Sequence, residues 1–237
     1  MIILTAHQPV YLPWLGLFHK IALSDTYVFF DDVQYVPKDW MNRNKIKTKD
    51  GEIWLTVPVL RKGHRELKIS EIKINNSTNW QKKHLHSISI NYKKTKYFDE
   101  YYPFFEEVYT KKWDRLTEIT EYMLKWFLKK LEIDVNFLKA SELKFEGKKS
   151  DLVLDMCKKL NATTYIFGEM GKDYADTKKF GDLKIKTVFQ EYKHPKYPQI
   201  NGDFISNLSI VDLLFNHGPE SFKILMENNM TKQELED

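Results

Sequence analysis

The sequence predicts an α/β fold: a sheet core with helices on both faces and a mixed, largely helical insert in its middle. Three observations predict it. Residues 1–35 read strand, short loop, helix, strand. Residues 150–218 alternate helix and strand signals again. Between them, over about 78–132, apolar residues recur at helical spacing.

Ile2 to Thr5 is a short apolar run stopped by Gln8-Pro9, the pattern of a buried strand. Pro13 suits a first helical turn, and Leu15, Phe18, Ile21 and Ala22 continue a helix over 13–24. Tyr27 to Phe30 is a second strand, closed by Asp31-Asp32. From Arg43 to Ile74 the reading is β structure: Ile46, the run 54–59 and the run 67–74, with turns at Asp50-Gly51 and Lys62-Gly63. Pro58 restricts its strand to an edge or an end. Trp80, Leu85, Ile88 and Tyr92 fit one helix, and Leu116, Ile119, Met123, Phe127 and Leu131 fit another. Strands then follow at 135–138, 163–167 and 185–190, with a helix over 150–160. A last helix over 208–215, capped by Asn207 or Ser206, ends at Gly218-Pro219.

The 237 residues suffice for one large domain or two small ones. With 42% hydrophobic and 30% charged residues, disordered, collagen-like and coiled-coil classes are excluded. The one cysteine, Cys157, excludes an internal disulfide and an all-cysteine zinc site, and its apolar helix predicts a buried, inert thiol. A net charge of +4 gives no strong nucleic-acid signal, although Ile72 to Phe98 carries six Lys and no acid. No run approaches the roughly 20 apolar residues of a membrane span. The first residues lack a basic region ahead of an apolar one, so a cytoplasmic protein is expected.

Four clusters sit where strands are expected to end, which is where open α/β sheets bind ligands. The first runs from His7 to Gly16, with two prolines and two aromatics making a stiff loop before a helix N-terminus. His7 suits acid-base work or a structural hydrogen bond to backbone, and Gln8, Tyr11, Trp14, Gly16 and Lys20 are substrate-binding candidates. The second joins Asp31, Asp32 and Gln34 to Asn42, Arg43 and Asn44: carboxylates for sugar hydroxyls or magnesium, a guanidinium fork for phosphate. Asp31 and Arg43 also read as a structural ion pair. The third is Gly168, Gly171, Asp173 and Tyr174, without a Walker sequence or a full dinucleotide fingerprint. The fourth is Gln190, His194, Tyr197 and Gln199, amides and rings suited to a sugar. His84 and His86 point to different sides of their helix and read as solvent-facing. Scattered histidines predict no structural metal.

Taken in order, these clusters resemble the WbqC-like protein family: HQPVYLPWLGLFHKI at 7–21, SDTYVFFDDVQY at 24–35, NRNKI at 42–46, GEIWLTVPV at 51–59, YIFGEMGKDY at 165–174, FQEYKHPKYPQ at 189–199 and NLSIVDLLFNHG at 207–218. The resemblance covers most of the chain. It implies one domain over 1–237, with core segments 1–75 and 133–226 around the insert. A fainter resemblance to the HUP nucleotidyltransferase group supports a Rossmann-like, HUP-like core. Gly16 matches the glycine of that group's HxGH motif, but Trp14 and Leu17 stand at its histidine positions.

The WbqC resemblance implies a cytoplasmic enzyme of surface-polysaccharide (O-antigen-type) biosynthesis. Its activity would be N-aminoacyl (glycyl) transfer to a nucleotide-linked amino sugar. In that picture the catalytic candidates are His7, His194 and Asp31, one histidine taking the amine's proton while Asp31 and Gln199 bind sugar hydroxyls. Arg43 and the first helix's N-terminus hold phosphates. No cofactor is identified, and magnesium accompanying the nucleotide stays open, as does a tRNA-bound aminoacyl donor. Two other readings stand beside this one, a non-catalytic sugar-nucleotide-binding module and a divergent HUP-type nucleotidyltransferase.

Overall fold

The computed structural model describes residues 1–60, 63 and 66–236. The chain opens with β1 (Ile3–His7), α1 (Leu15–Ala22) and β2 (Thr26–Phe29). A hairpin follows, β3 (Arg43–Thr48) and β4 (Gly51–Thr56), then α2 (Trp80–Tyr92), α3 (Phe98–Thr110) and α4 (Leu116–Lys130). Alternation returns with β5 (Asn136–Lys139), α5 (Ala140–Leu143), α6 (Ser150–Lys159), β6 (Thr164–Phe167), α7 (Thr177–Asp182) and β7 (Lys186–Phe189). The last helices are α8 (Ile210–His217), α9 (Ser221–Met226) and α10 (Lys232–Glu236).

The five strands of the central sheet run in the order β5–β2–β1–β6–β7, and every pair is parallel. This is a Rossmann-like arrangement. The chain builds outward from β1 in one direction through β2 and β5, then crosses back to lay β6 and β7 on the other side. The gap between β1 and β6 is therefore where the order reverses.

Period-two alternation sends each strand's side chains to opposite faces. Leu4, Ala6, Val28, Tyr165 and Phe167 pack with Val153, Cys157 and Phe180 of α6 and α7. Tyr27 and Phe29 pack on the other face with Leu15, Phe18 and Ile21 of α1 and Phe127 of α4. Helices thus cover both faces, and the inner strands β1, β2 and β6 are buried, as a parallel sheet requires, while the edge strands β5 and β7 are only half-buried.

The segment between β2 and β5 differs in detail from expectation. The Asp50-Gly51 turn joins β3 to β4 in antiparallel register, with Gly51 at φ 122°. Of the second expected turn, Gly63 has φ 71° and accepts a bond from Glu66 N, while Lys62 lies outside the described residues. Residues 67–74 are not a strand. They form a short 3₁₀ turn, Ile69–Glu71, flanked by single bridges from Lys68 to Gln34, Lys73 to Arg115 and Ile74 to Val59. Their backbone groups find partners on three separate segments, which no ladder could supply together. Helix α8 starts at Ile210 and is capped by Ser209, whose hydroxyl accepts from Val211 N at 3.2 Å, not by Asn207 or Ser206.

Candidate functional site

At the reversal point, β1 ends on His7. Its Nδ1 hydrogen-bonds the Gln8 carbonyl at 2.8 Å. A carbonyl only accepts, so the proton sits on Nδ1 and Nε2 carries the lone pair. Nε2 has no partner among the described residues and is not among the sealed, unpartnered nitrogens. Burial of the ring, followed by the charge of Lys20, lowers the His7 pKa to about 3. Lys20, on α1, is 3% exposed and donates to the Ala6 carbonyl at 3.0 Å. Burial lowers its pKa to about 7. The α1 N-terminus is bound to the C-terminal segment: Ile210 N donates to the Pro13 carbonyl at 2.8 Å, and Trp14 bridges Ser209.

From His7 a line of rings crosses the surface. The Trp14 ring lies edge-on to His7 at 5.2 Å. Trp14, Trp40 and Asn207 line a pocket of about 200 Å³. Trp40 contacts Trp54 at 5.1 Å, and the Arg43 guanidinium lies over Trp54 at 4.4 Å. Arg43 donates from Nη2 to the Lys38 carbonyl, while its Nε is shielded from solvent and has no partner. Beyond it opens a cleft of about 840 Å³, lined by Tyr35, Pro37, Lys38, Asn42, Arg43, Thr56 and others.

The structure engages several other candidates elsewhere. Tyr11 is fully buried, its hydroxyl bound to His84 Nδ1 at 2.8 Å and to the Tyr109 hydroxyl. His84 is therefore not solvent-facing: it is 5% exposed, and burial lowers its pKa to about 4, whereas His86 is exposed. The two point to different sides as expected, but one side is the core.

Asp31 does not pair with Arg43. It is buried, its carboxylate accepting Ser141 N at 2.9 Å and Ser141 Oγ at 2.7 Å, which ties the ends of β2 and β5. Asp32 pairs with Lys68 at 2.6 Å, and Gln34 is exposed. The Asn42 amide donates to the Val57 carbonyl and the Asn44 amide to the Leu12 carbonyl, so both brace the backbone.

Gln190 joins Gly16 O and His19 Nδ1 at 2.8 and 2.7 Å. His194 repeats the His7 tautomer, with Nδ1 on the Pro195 carbonyl, but its Nε2 is sealed among the rings of Tyr192, Tyr197 and Phe204. Tyr197 donates to Asp212, and Gln199 binds Lys47 and both backbone groups offered by Ile205. Past β6, Gly168 opens a 3₁₀ turn, Glu169–Asp173. A side chain at Gly171 would strike Phe167 at 2.5 Å, while Asp173 and Tyr174 are exposed. Cys157 is fully buried, and burial pushes its thiol pKa up to about 12.

Sequence reasoning did not single out Trp40, Trp54, Lys47 or Asp212, and it read Asn207 only as a helix cap. The available signal was weak: Trp54 occupies an alternating strand where an aromatic reads as core, yet it is 41% exposed. Among the described residues no group of three or more His, Cys, Asp or Glu is placed to hold a metal. Among them, too, no helix is long and apolar enough to cross a membrane.

The model of the WbqC-like protein family matches residues 8–224. A Mycobacterium tuberculosis protein described as uncharacterized protein Rv1507c is 33% identical over 216 residues, covering 90% of this chain and 93% of its own. No solved structure matches the chain.

Proposed function

The chain belongs to the WbqC-like protein family, and from that premise we propose a cytoplasmic transferase of surface-polysaccharide (O-antigen-type) biosynthesis. It moves an aminoacyl group, glycyl in the simplest case, from an activated donor to the amine of a nucleotide-linked amino sugar. The observation that carries this reading is the state of His7: a neutral imidazole at the reversal point of the sheet, with an unpartnered Nε2 lone pair beside Trp14.

In the reaction, the amine nitrogen attacks the donor carbonyl and loses a proton to Nε2. The carbonyl then expels its leaving group, which takes that proton back. Burial keeps His7 neutral over the physiological range and makes the imidazolium costly, so the proton passes on. His194 is the weaker candidate because its Nε2 is sealed off. Both carboxylate oxygens of Asp31 accept from Ser141, which supports a positioning role over a catalytic one. Magnesium enters this proposal only as a companion of the substrate's diphosphate.

The low basicity of His7 also favours a second reading, a module that binds sugar nucleotides without reacting. Incubation with hexosamine nucleotides and activated glycine donors, glycyl-tRNA included, separates the two. Amide product that falls at least about a hundredfold in His7→Gln, with substrate affinity kept, is the expected result. Binding without product from any donor overturns the transferase reading and leaves the module.

A further inference from the structure

The chemistry exposed between Trp14 and Arg43 changes in a fixed order along the surface. First comes a pocket walled by two indoles and closed by an amide, Trp14, Trp40 and Asn207. Next comes a cation held over a ring, Arg43 above Trp54. Last comes a larger cleft whose described lining residues include Lys38 and Arg43 and no carboxylate. A nucleotide sugar presents the matching order: a hexose with apolar CH faces and a hydroxyl rim, a diphosphate, then a nucleoside.

We infer that this surface holds a nucleotide sugar lengthwise. The hexose lies in the Trp14–Trp40–Asn207 pocket, the diphosphate on Arg43, and the nucleoside in the cleft beyond. The inference deepens the proposed transfer and rests on it only for the amine's place beside His7.

Each subsite has its physical reason. Indole faces complement CH groups, and an amide both donates to and accepts from hydroxyls. Asn207 stands in the left-handed region at φ 57°, and its amide nitrogen donates to Ser206 Oγ at 3.2 Å. Its amide oxygen has no partner among the described residues. The Arg43 guanidinium is fixed twice, by Trp54 below and by the Lys38 carbonyl at Nη2, and its Nε–H lacks an acceptor. That Nε is sealed from solvent, so an anion meets the guanidinium through the part that lines the cleft, and a planar, fixed donor group suits phosphate. The cleft's volume of about 840 Å³ lies within the range of ligand sites. The two residues first expected to read the sugar, Asp31 and Gln199, have their oxygens engaged by Ser141, Lys47 and Ile205.

The test is calorimetric titration of the full chain with UDP, dTDP and GDP, and with each nucleotide carrying a hexosamine. Thermal melts check that every variant folds. At least one nucleotide is expected to bind, and its hexosamine form more tightly. Arg43→Ala should weaken both forms roughly tenfold or more, and Arg43→Lys should not restore them. Trp40→Ala, at an exposed position, should leave the bare nucleotide unchanged and abolish the gain from the hexosamine. Absence of binding by every probe overturns the inference. So does a folded Trp40→Ala that weakens the bare nucleotide as much as the sugar nucleotide, or a folded Arg43→Ala that binds like wild type. Transfer activity untouched in both variants would sink the lengthwise placement and leave the transferase reading standing. The expected binding pattern without any transfer would do the reverse.

Discussion

Lys20 Nζ sits 3.0 Å from the Ala6 carbonyl oxygen, buried, and no carboxylate among the described residues lies within ion-pair distance. Burial alone lowers its pKa from 10.5 to about 7. Between those values the unfolded chain holds a proton that the native protein lacks, so stability rises with pH across pH 7 to 10.5. The full span corresponds to roughly 5 kcal/mol. Lys20→Met should therefore melt higher than wild type at pH 7 and lose most of that slope. Melts at pH 6, 8 and 10 check this, and a variant less stable at pH 7 with an unchanged slope would refute it.

Asp212 gives the opposite sign. It is fully buried, accepts from Tyr92 at 3.0 Å and Tyr197 at 3.1 Å, and burial raises its pKa from 3.8 to about 6. Between pH 3.8 and 6 the native protein holds the extra proton, so stability falls as pH rises through that window, by roughly 3 kcal/mol. In Asp212→Asn the amide oxygen still accepts from a tyrosine, and this fall should disappear. Denaturant titrations at pH 4 and 6.5 measure it.

Asp31→Ala removes the acceptor of both Ser141 donors and should cost about 2–4 kcal/mol. Ser141→Ala should cost less, and the double variant should show coupling. Substrate affinity per folded molecule is expected to stay unchanged. A folded Asp31→Ala protein of normal stability that no longer binds would restore Asp31 to the ligand's surface.

Gly16 leaves no room for a side chain: an added Cβ would stand 2.7 Å from Trp14 Nε1 and 3.0 Å from Tyr192. Gly16→Ala should displace the indole or cost about 1–3 kcal/mol. An altered tryptophan emission together with weakened sugar-nucleotide binding is the expected readout, and unaltered values of both would contradict it.

The inner strands were legible because each is a short, mostly apolar run closed by punctuation. Tyr27–Phe29 with Asp31 after it, and Thr164–Phe167 with Gly168 after it, need no distant information. The helix Trp80–Tyr92 was legible from spacing for the same reason. What could not be read depends on partners far along the chain. Asp31 looks like a free carboxylate until Ser141 arrives 110 residues later. Tyr11 looks like a loop aromatic until His84 meets it. The run 67–74 carries strand-like residues, yet Ile69 and Ile72 are buried against the insert rather than paired in a ladder. Trp40 and Trp54 failed in the other direction, since hydrophobicity predicts burial and these two rings stay exposed.

Trp14 bridges Ser209, Asn44 holds Leu12, and Ser209 N donates to Lys45, so the walls of the indole pocket are drawn from three stretches of chain. Every strand of the central sheet is outside the ribosome once residue 189 has emerged, while Asn207 and the helix behind it follow only later. A nascent chain at that length can close its sheet and still lack a pocket. The indole pocket is therefore completed late in synthesis, as one step with the docking of the final helices, and a growing chain has no closed pocket there before then.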